Sequence, residues 1–393
     1  MSEKKRYAHL DGIRGVAAII VFFKHAKETF WLGMEDRLYA YFFEHLHSSF
    51  IAKLLTGFLT FFFDGELAVY IFWFMSGYVI SIKLFTPDSR FYLIGAVAKR
   101  YFRLLIPVSG AIMFSYLLKL NGLMYNVTLA NVFGGPYVDN WLGGQVNFDP
   151  DLYIAIRSSI WLTFFDFHWN PCYNTALWTM SPELYGSLFC FFLFGVGGIF
   201  RRRYFLYGFF FLIFLGLKNF WMCTFIAGFL LCDIEHSHNR LTVVLNSIGS
   251  KILSRDWIAV FVLLILILIS ELTGIRPFMC MPIGALIVFV VHKSEILRRF
   301  FSNRLMLVLG RISFSIYLLH IPILCSLTSY LYIILDGSHF FKSSISILAG
   351  LLMSVVLSWF YTVTVDDFAV WISNRIGRFI SSASDRTLEN QTL

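Results

Sequence analysis

Apolar residues run along the chain in blocks near the ~20 residues that a bilayer demands, with short polar or charged stretches between them. Ten such segments can be drawn, at 11–31, 66–85, 103–120, 177–199, 204–218, 219–233, 256–272, 276–292, 312–335 and 343–363. Each predicts a spanning helix, so the expected fold is an all-α integral membrane protein of about ten transmembrane helices. Two connections are long, at 32–65 and 121–176. The second holds turn formers at Gly134–Pro136, Gly143–Gly144 and Asp149–Asp151, residue types that punctuate loops. Its stretch 152–167 is aromatic and apolar but too short for a span, which predicts an interfacial or re-entrant helix. No internal repeat divides the chain. Residues 1–378 therefore read as one transmembrane domain, and the Ser-rich, polar 379–393 as a short cytoplasmic tail.

Charge orients this pattern. If the N-terminus is cytoplasmic and ten helices alternate, most of the 32 Lys and Arg fall on the inner side, including the runs Lys4–Arg6, Lys99–Arg100 and Arg201–Arg203. Cytoplasmic loops carry this excess as a rule, so both termini are expected inside and the two long loops outside. Composition narrows the class further. Of the 393 residues 58% are hydrophobic and only 14% charged, against about a quarter charged in an ordinary soluble domain. That excludes a disordered chain, a nucleic-acid-binding module and nearly every soluble enzyme. The net charge of +8 then reads as a topology signal. The six cysteines form no CxxC pair and are expected as small apolar core residues. Asn126-Val127-Thr128 fits a glycosylation triplet, a pattern that arises often by chance.

Ionisable residues inside a span are costly and mark function by default. The first segment holds Arg14 and His25. Eleven residues at 100° each bring them within about 20° of one face, about 16 Å apart along the axis. Arg14 falls at the cytoplasmic mouth and His25 near or beyond the midplane. Ala17, Ala18 and Val21 between them are small enough to leave a channel beside the helix. The bland alternative is a snorkelling Arg14 and a His25 satisfied in the core. Lys99, Arg100, Arg103 and Pro107 form a second group at the inner end of the third segment. They suit either a topology anchor or a phosphate site, because guanidinium forks match phosphate oxygens. Glu183 follows Ser181 and Pro182 in the first turns of the fourth segment, towards the outer side. Ser181 or Thr179 is a candidate cap there, and the helix dipole favours a carboxylate. Tyr317 and His320 are i, i+3 partners in the ninth segment.

These residues together resemble the membrane-bound acyltransferase-3 family. His9 to Ala26 resembles its opening motif of an Arg and a His separated by ten residues. Ile71 to Ser81 resembles its Ser-Gly-aromatic motif, and Lys99 to Pro107 its basic motif ending in Pro. Leu177 to Phe189 resembles its Trp-containing motif with an acidic residue, although Leu184 stands where a second acidic residue is common. Ser313 to Pro322 resembles its late Tyr-Leu-x-His-x-Pro motif.

The resemblance implies an O-acyltransferase of the class transferring groups other than aminoacyl groups. An acyl group, usually acetyl, passes from cytoplasmic acetyl-CoA or another acyl-CoA to a hydroxyl of an extracytoplasmic glycan, glycolipid or other lipid-linked acceptor. Arg14, Arg100 and Arg103 would hold the donor phosphates. His25 would serve as general base, with Glu183 able to offset the charge formed, and Tyr317 and His320 would contact substrate. No metal and no nucleic acid is expected. The partners are the bilayer, the donor and the acceptor, and the expected location is a bacterial cytoplasmic (inner) membrane. Two other classes stay open: a secondary transporter, since intramembrane Arg and His also mark ion paths, and a non-catalytic membrane scaffold of the same fold.

Overall fold

The computed structural model describes residues 7–85, 89–139, 141–198, 202–237, 242–244, 247, 255–272 and 277–392. Every regular element among them is helical. The helices that build the core and the site are α1 (Ala8–Phe30), α2 (Met34–Leu46), α3 (Ser49–Thr60), α4 (Gly65–Ile82), α5 (Ser89–Leu120), α6 (Asn126–Phe133) and α7 (Leu152–Phe165). After them come α8 (Met180–Gly197), α9 (Arg203–Gly216), α10 (Phe220–His236), α11 (Asp256–Leu272), α12 (Cys280–Lys293), α13 (Arg304–Ile323), α14 (His339–Tyr361) and α15 (Asp367–Thr392).

Five described helical stretches are long and apolar enough to cross a membrane: Gly65–Phe85, Gly95–Leu120, Thr175–Gly197, Arg304–Ile334 and His339–Ile380. A sixth is α12 with Glu295–Phe301, bent by 98° between them. The other four expected segments are also helices but differ from simple spans. α1 has 23 residues yet carries Asp11, Arg14, Lys24, Lys27 and Glu28. α9 has only 14 residues, about 21 Å of rise against a hydrocarbon core of about 30 Å. α10 and α11 have 17 each. The expected boundary at residue 276 lies outside the described residues. The polar stretch 379–392 is helical and continues α15.

α1 sits in the middle, packed on α13 and α4. Its contact with α13 is close because both helices present glycine there. A Cβ on Gly15 would lie 2.7 Å from the Gly310 nitrogen, and one on Gly310 would lie 2.2 Å from the Asp11 carbonyl oxygen. Lipid tails are as apolar as side chains, so such small-residue contact supplies the packing that holds membrane helices together. This closes the channel expected along α1. Ala17, Ala18 and Val21 are all buried, with Ala18 packed on Ile312 and Ile316 of α13. The small residues bring a helix in; they leave no room beside it.

The segment 121–176 dives into the protein. α7 runs along α5, and the Tyr101 hydroxyl donates to the Ile160 carbonyl at 2.6 Å. Tyr101 lies 19 residues before Leu120, the end of α5, about 28 Å along its axis. α7 therefore packs along the middle of α5, far from its Leu120 end. The chain then turns back, and Asn174 donates to the Leu318 carbonyl at 2.7 Å, well inside α13. Asn126 is buried, its amide donating to the carbonyls of Leu142 and Gln145, so the glycosylation triplet is inaccessible. All six cysteines are buried free thiols.

Candidate functional site

A cavity of about 310 Å³ lies between α1, α4, α5, α8 and α13. Its wall is mostly apolar, with Phe72, Trp73 and Phe314 prominent, and its polar groups are Arg14, Ser76, Arg100, Arg103, Thr179, Glu183, Ser313 and Tyr317. The three expected arginines thus meet in one space, as do Glu183 and Tyr317.

Their partners differ. Arg100 pairs with Glu183, and its Nε donates to Ser187 Oγ at 2.8 Å. Glu183 had been expected towards the outer side, and Arg100 at the inner mouth. They meet because the 121–176 segment packs along α5 and α13 before α8 begins, so the first turns of α8 lie beside Arg100. Thr179 does not cap α8: its hydroxyl bonds Tyr317 at 2.7 Å and Ala176 O at 3.1 Å. Arg103 forks onto Asp366 at 2.6 and 3.0 Å, a bidentate geometry. Asp366 sits in the turn Thr362–Asp366 between α14 and α15. Arg14 has the loosest pairing of the three, 3.9 Å to an Asp11 whose side chain is 58% exposed. Exposed pairs at such range contribute little, which leaves the Arg14 fork free for a ligand.

His25 stands apart from the cavity wall and reaches it through two rings. Tyr317 in the wall lies 5.7 Å from His320, ring centre to ring centre. His320 in turn stacks on His25 at 5.3 Å and 24°. Trp141 also lies near-parallel to His25, at 5.0 Å and 15°. Trp141 comes from the long 121–176 connection, so the loop supplies a wall of the site. His25 Nδ1 lies 2.9 Å from Glu28 Oε2, and Glu28 also holds Lys24 at 3.0 Å. The carboxylate in contact with His25 is therefore Glu28, not Glu183.

His320 is fully buried. Its Nδ1 faces the carbonyls of Tyr317 at 2.7 Å and Ile316 at 3.2 Å. Carbonyl oxygens only accept, so Nδ1 carries the hydrogen and Nε2 the lone pair. That Nε2 has no hydrogen-bond partner. A buried acceptor without a donor is costly and is what a bound hydroxyl would satisfy. No group of three or more potential metal ligands occurs among the described residues.

Sequence reasoning missed three residues here: Glu28, Asp366 and Trp141. Glu28 was legible, since i, i+3 from His25 and i, i+4 from Lys24 are neighbours on any helix. Asp366 lies 263 residues from Arg103 and Trp141 in a loop, so no periodicity joins either to its partner. A family profile described as an acyltransferase domain matches residues 7–363 of the chain. Comparison with curated proteins and with solved structures gave no match.

Proposed function

The chain belongs to the acyltransferase-3 family, a multi-pass membrane acyltransferase, and on that premise we propose that it moves an acyl group from cytoplasmic acyl-CoA to a hydroxyl of an extracytoplasmic glycan or glycolipid. The proposed topology is ten alternating spans with both termini cytoplasmic, in a bacterial inner membrane. It draws support from helices lying at each of the ten apolar segments and from the excess of Lys and Arg on the inner side.

The observation that carries the reading is continuity. A cavity reaches from Arg14 to Tyr317, and Tyr317 leads through His320 to His25. Arg14 would meet the donor phosphates first, with Arg100 and Arg103 behind it still bound to Glu183 and Asp366. The volume suits the thioester arm rather than the whole donor, and the apolar wall suits its uncharged chain. Glu183 would hold Arg100 in place. A second, non-reacting hydroxyl of the acceptor would donate to the empty Nε2 of His320.

His25 takes the hydroxyl proton as the oxygen attacks the thioester carbonyl. A C–O bond forms, the C–S bond breaks, and the departing thiolate receives the proton back from the imidazolium. Ester and free CoA thiol result, and the base is regenerated. The test uses purified protein in vesicles with labelled acetyl-CoA and an acceptor glycan. His25→Gln retains a hydrogen-bonding side chain and should abolish transfer while donor binding persists. Near-normal turnover in that variant would overturn the assignment of the base.

A further inference from the structure

We propose that Glu28 is the positioning residue that makes Nε2 the reactive nitrogen of His25, with Trp141 holding the ring in that pose; the proposal rests on His25 being the base of the transfer. The geometry leaves little else for the ring to do. Glu28 Oε2 occupies Nδ1 at 2.9 Å. Trp141 and His320 both lie near-parallel to the imidazole at 5.0 and 5.3 Å. With Nδ1 held by Glu28, Nε2 is the ring nitrogen left without a hydrogen-bond partner among the described residues.

An ionised carboxylate only accepts, so it selects the tautomer with hydrogen on Nδ1 and a lone pair on Nε2. When Nε2 takes a proton from the acceptor hydroxyl, the adjacent negative charge stabilises the imidazolium that forms. A carboxylate behind a catalytic histidine does this in hydrolases of unrelated fold. Glu28 is itself fixed by Lys24 at 3.0 Å, one turn earlier on the same helix. Both side chains of the dyad are about four-fifths buried, at 21% and 22% exposure, where such a charge is screened less than in water. The competing reading makes Glu28 an ordinary helix-surface partner of Lys24, with no part in turnover.

Four variants separate these readings in the full-length protein in vesicles with acetyl-CoA. Glu28→Gln keeps the length and an acceptor oxygen but loses the charge. Its kcat should fall roughly a hundredfold, with KM for acetyl-CoA within about twofold. Glu28→Asp keeps the charge on a shorter stem and should recover part of that loss. Trp141→Ala should lower kcat about tenfold at unchanged donor KM, and Trp141→Phe should restore most of it. A second readout decides between positioning and structure. Glu28→Gln should leave the thermal midpoint and the Kd for acetyl-CoA unchanged while kcat falls, a split that a merely structural partner of Lys24 does not give. A kcat loss matched by a lowered midpoint, or full turnover in Glu28→Gln, would sink the inference while leaving the acyltransferase reading intact. An inert wild-type protein would remove both.

Discussion

Arg14 and Arg100 share a cavity but should respond differently to replacement. Arg100 and Glu183 have side chains only 16% and 14% exposed. Removing one partner of such a pair leaves the other charge uncompensated, at a cost of roughly 3–5 kcal/mol. Arg100→Ala should therefore lower the unfolding midpoint in detergent by an amount corresponding to about 3 kcal/mol, and Glu183→Gln in the same chain should recover part of it. Arg14 has only a long contact to an exposed Asp11, so Arg14→Ala should leave the midpoint nearly unchanged. If Arg14 meets the donor phosphate, losing a charge-assisted bond of about 1.5–3 kcal/mol raises the Kd for acetyl-CoA by roughly ten- to a hundredfold. Equilibrium binding of labelled donor measures this. An unaltered Kd in Arg14→Ala would place the phosphate elsewhere.

At the scale of helices, the α1–α13 contact is the one that positions the site, since α1 carries Arg14 and His25 and α13 carries Tyr317 and His320. Gly15 and Gly310 let the two backbones touch, and Gly12 admits the short helix Glu295–Phe301 just before α13. A Cβ on Gly12 would stand 1.9 Å from the Phe301 carbonyl oxygen. These obstacles are backbone atoms, which cannot rotate aside. Gly310→Ala should then destabilise by about 3 kcal/mol, the upper part of the range for overpacking, and should lose turnover as His25 and His320 separate. Gly208→Ala on α9 is the control, because a Cβ there meets nothing within 4 Å. Equal thermal midpoints for the two variants would contradict the role of this contact. Pro107 has a comparable local reason. It lies inside the continuous helix α5, and the Tyr361 hydroxyl of α14 donates to its carbonyl.

On the scale of the whole molecule, one buried cluster ties together the start of α1, the end of α4 and the ends of α10 and α12. His9 Nε2 lies 2.9 Å from His292 Nδ1. Glu235 receives Tyr78 at 2.5 Å and Lys293 at 2.6 Å, and His292 lies 3.3 Å away. Burial foremost, then the neighbouring His292 and Arg298, pushes the His9 imidazole down to about 3 from 6.5. Burial alone would raise the Glu235 carboxyl, but His292, Lys293 and Tyr78 hold it well below the usual carboxylate range. Both shifts act with one sign. The unfolded chain binds protons that the folded chain refuses, so stability is complete above pH 6.5 and falls on acidification. His9 alone contributes a loss of about 2 kcal/mol by pH 5. Thermal midpoints between pH 7 and 5 should show this slope, and His9→Gln should flatten it. Topology is tested at the same scale. All native cysteines are buried, so introduced ones report cleanly. Asn147→Cys should react with an impermeant thiol reagent from outside, and Arg299→Cys only after permeabilisation. Asn140, an obvious site in the same loop, lies outside the described residues. Labelling of Arg299→Cys in intact cells would reverse the proposed orientation.

Hydropathy and charge spacing by themselves determine that this is an all-helical membrane protein with Arg14 and His25 on its first helix. They also hold the His25–Glu28 contact, because helical neighbours within four residues follow from 3.6 residues per turn. The rest of the site depends on the depth at which each helix begins. Arg100 and Glu183 are 83 residues apart in sequence, and a span count that sends α8 inwards from the outer surface separates them by most of a membrane. The 121–176 segment packs back along α5 and α13 before α8 begins, and in doing so it also delivers Trp141 to His25. A pattern of apolar residues records that a segment is buried, but burial in lipid and burial in protein demand the same side chains. Only the packed structure tells which of the two a segment meets, and at what level.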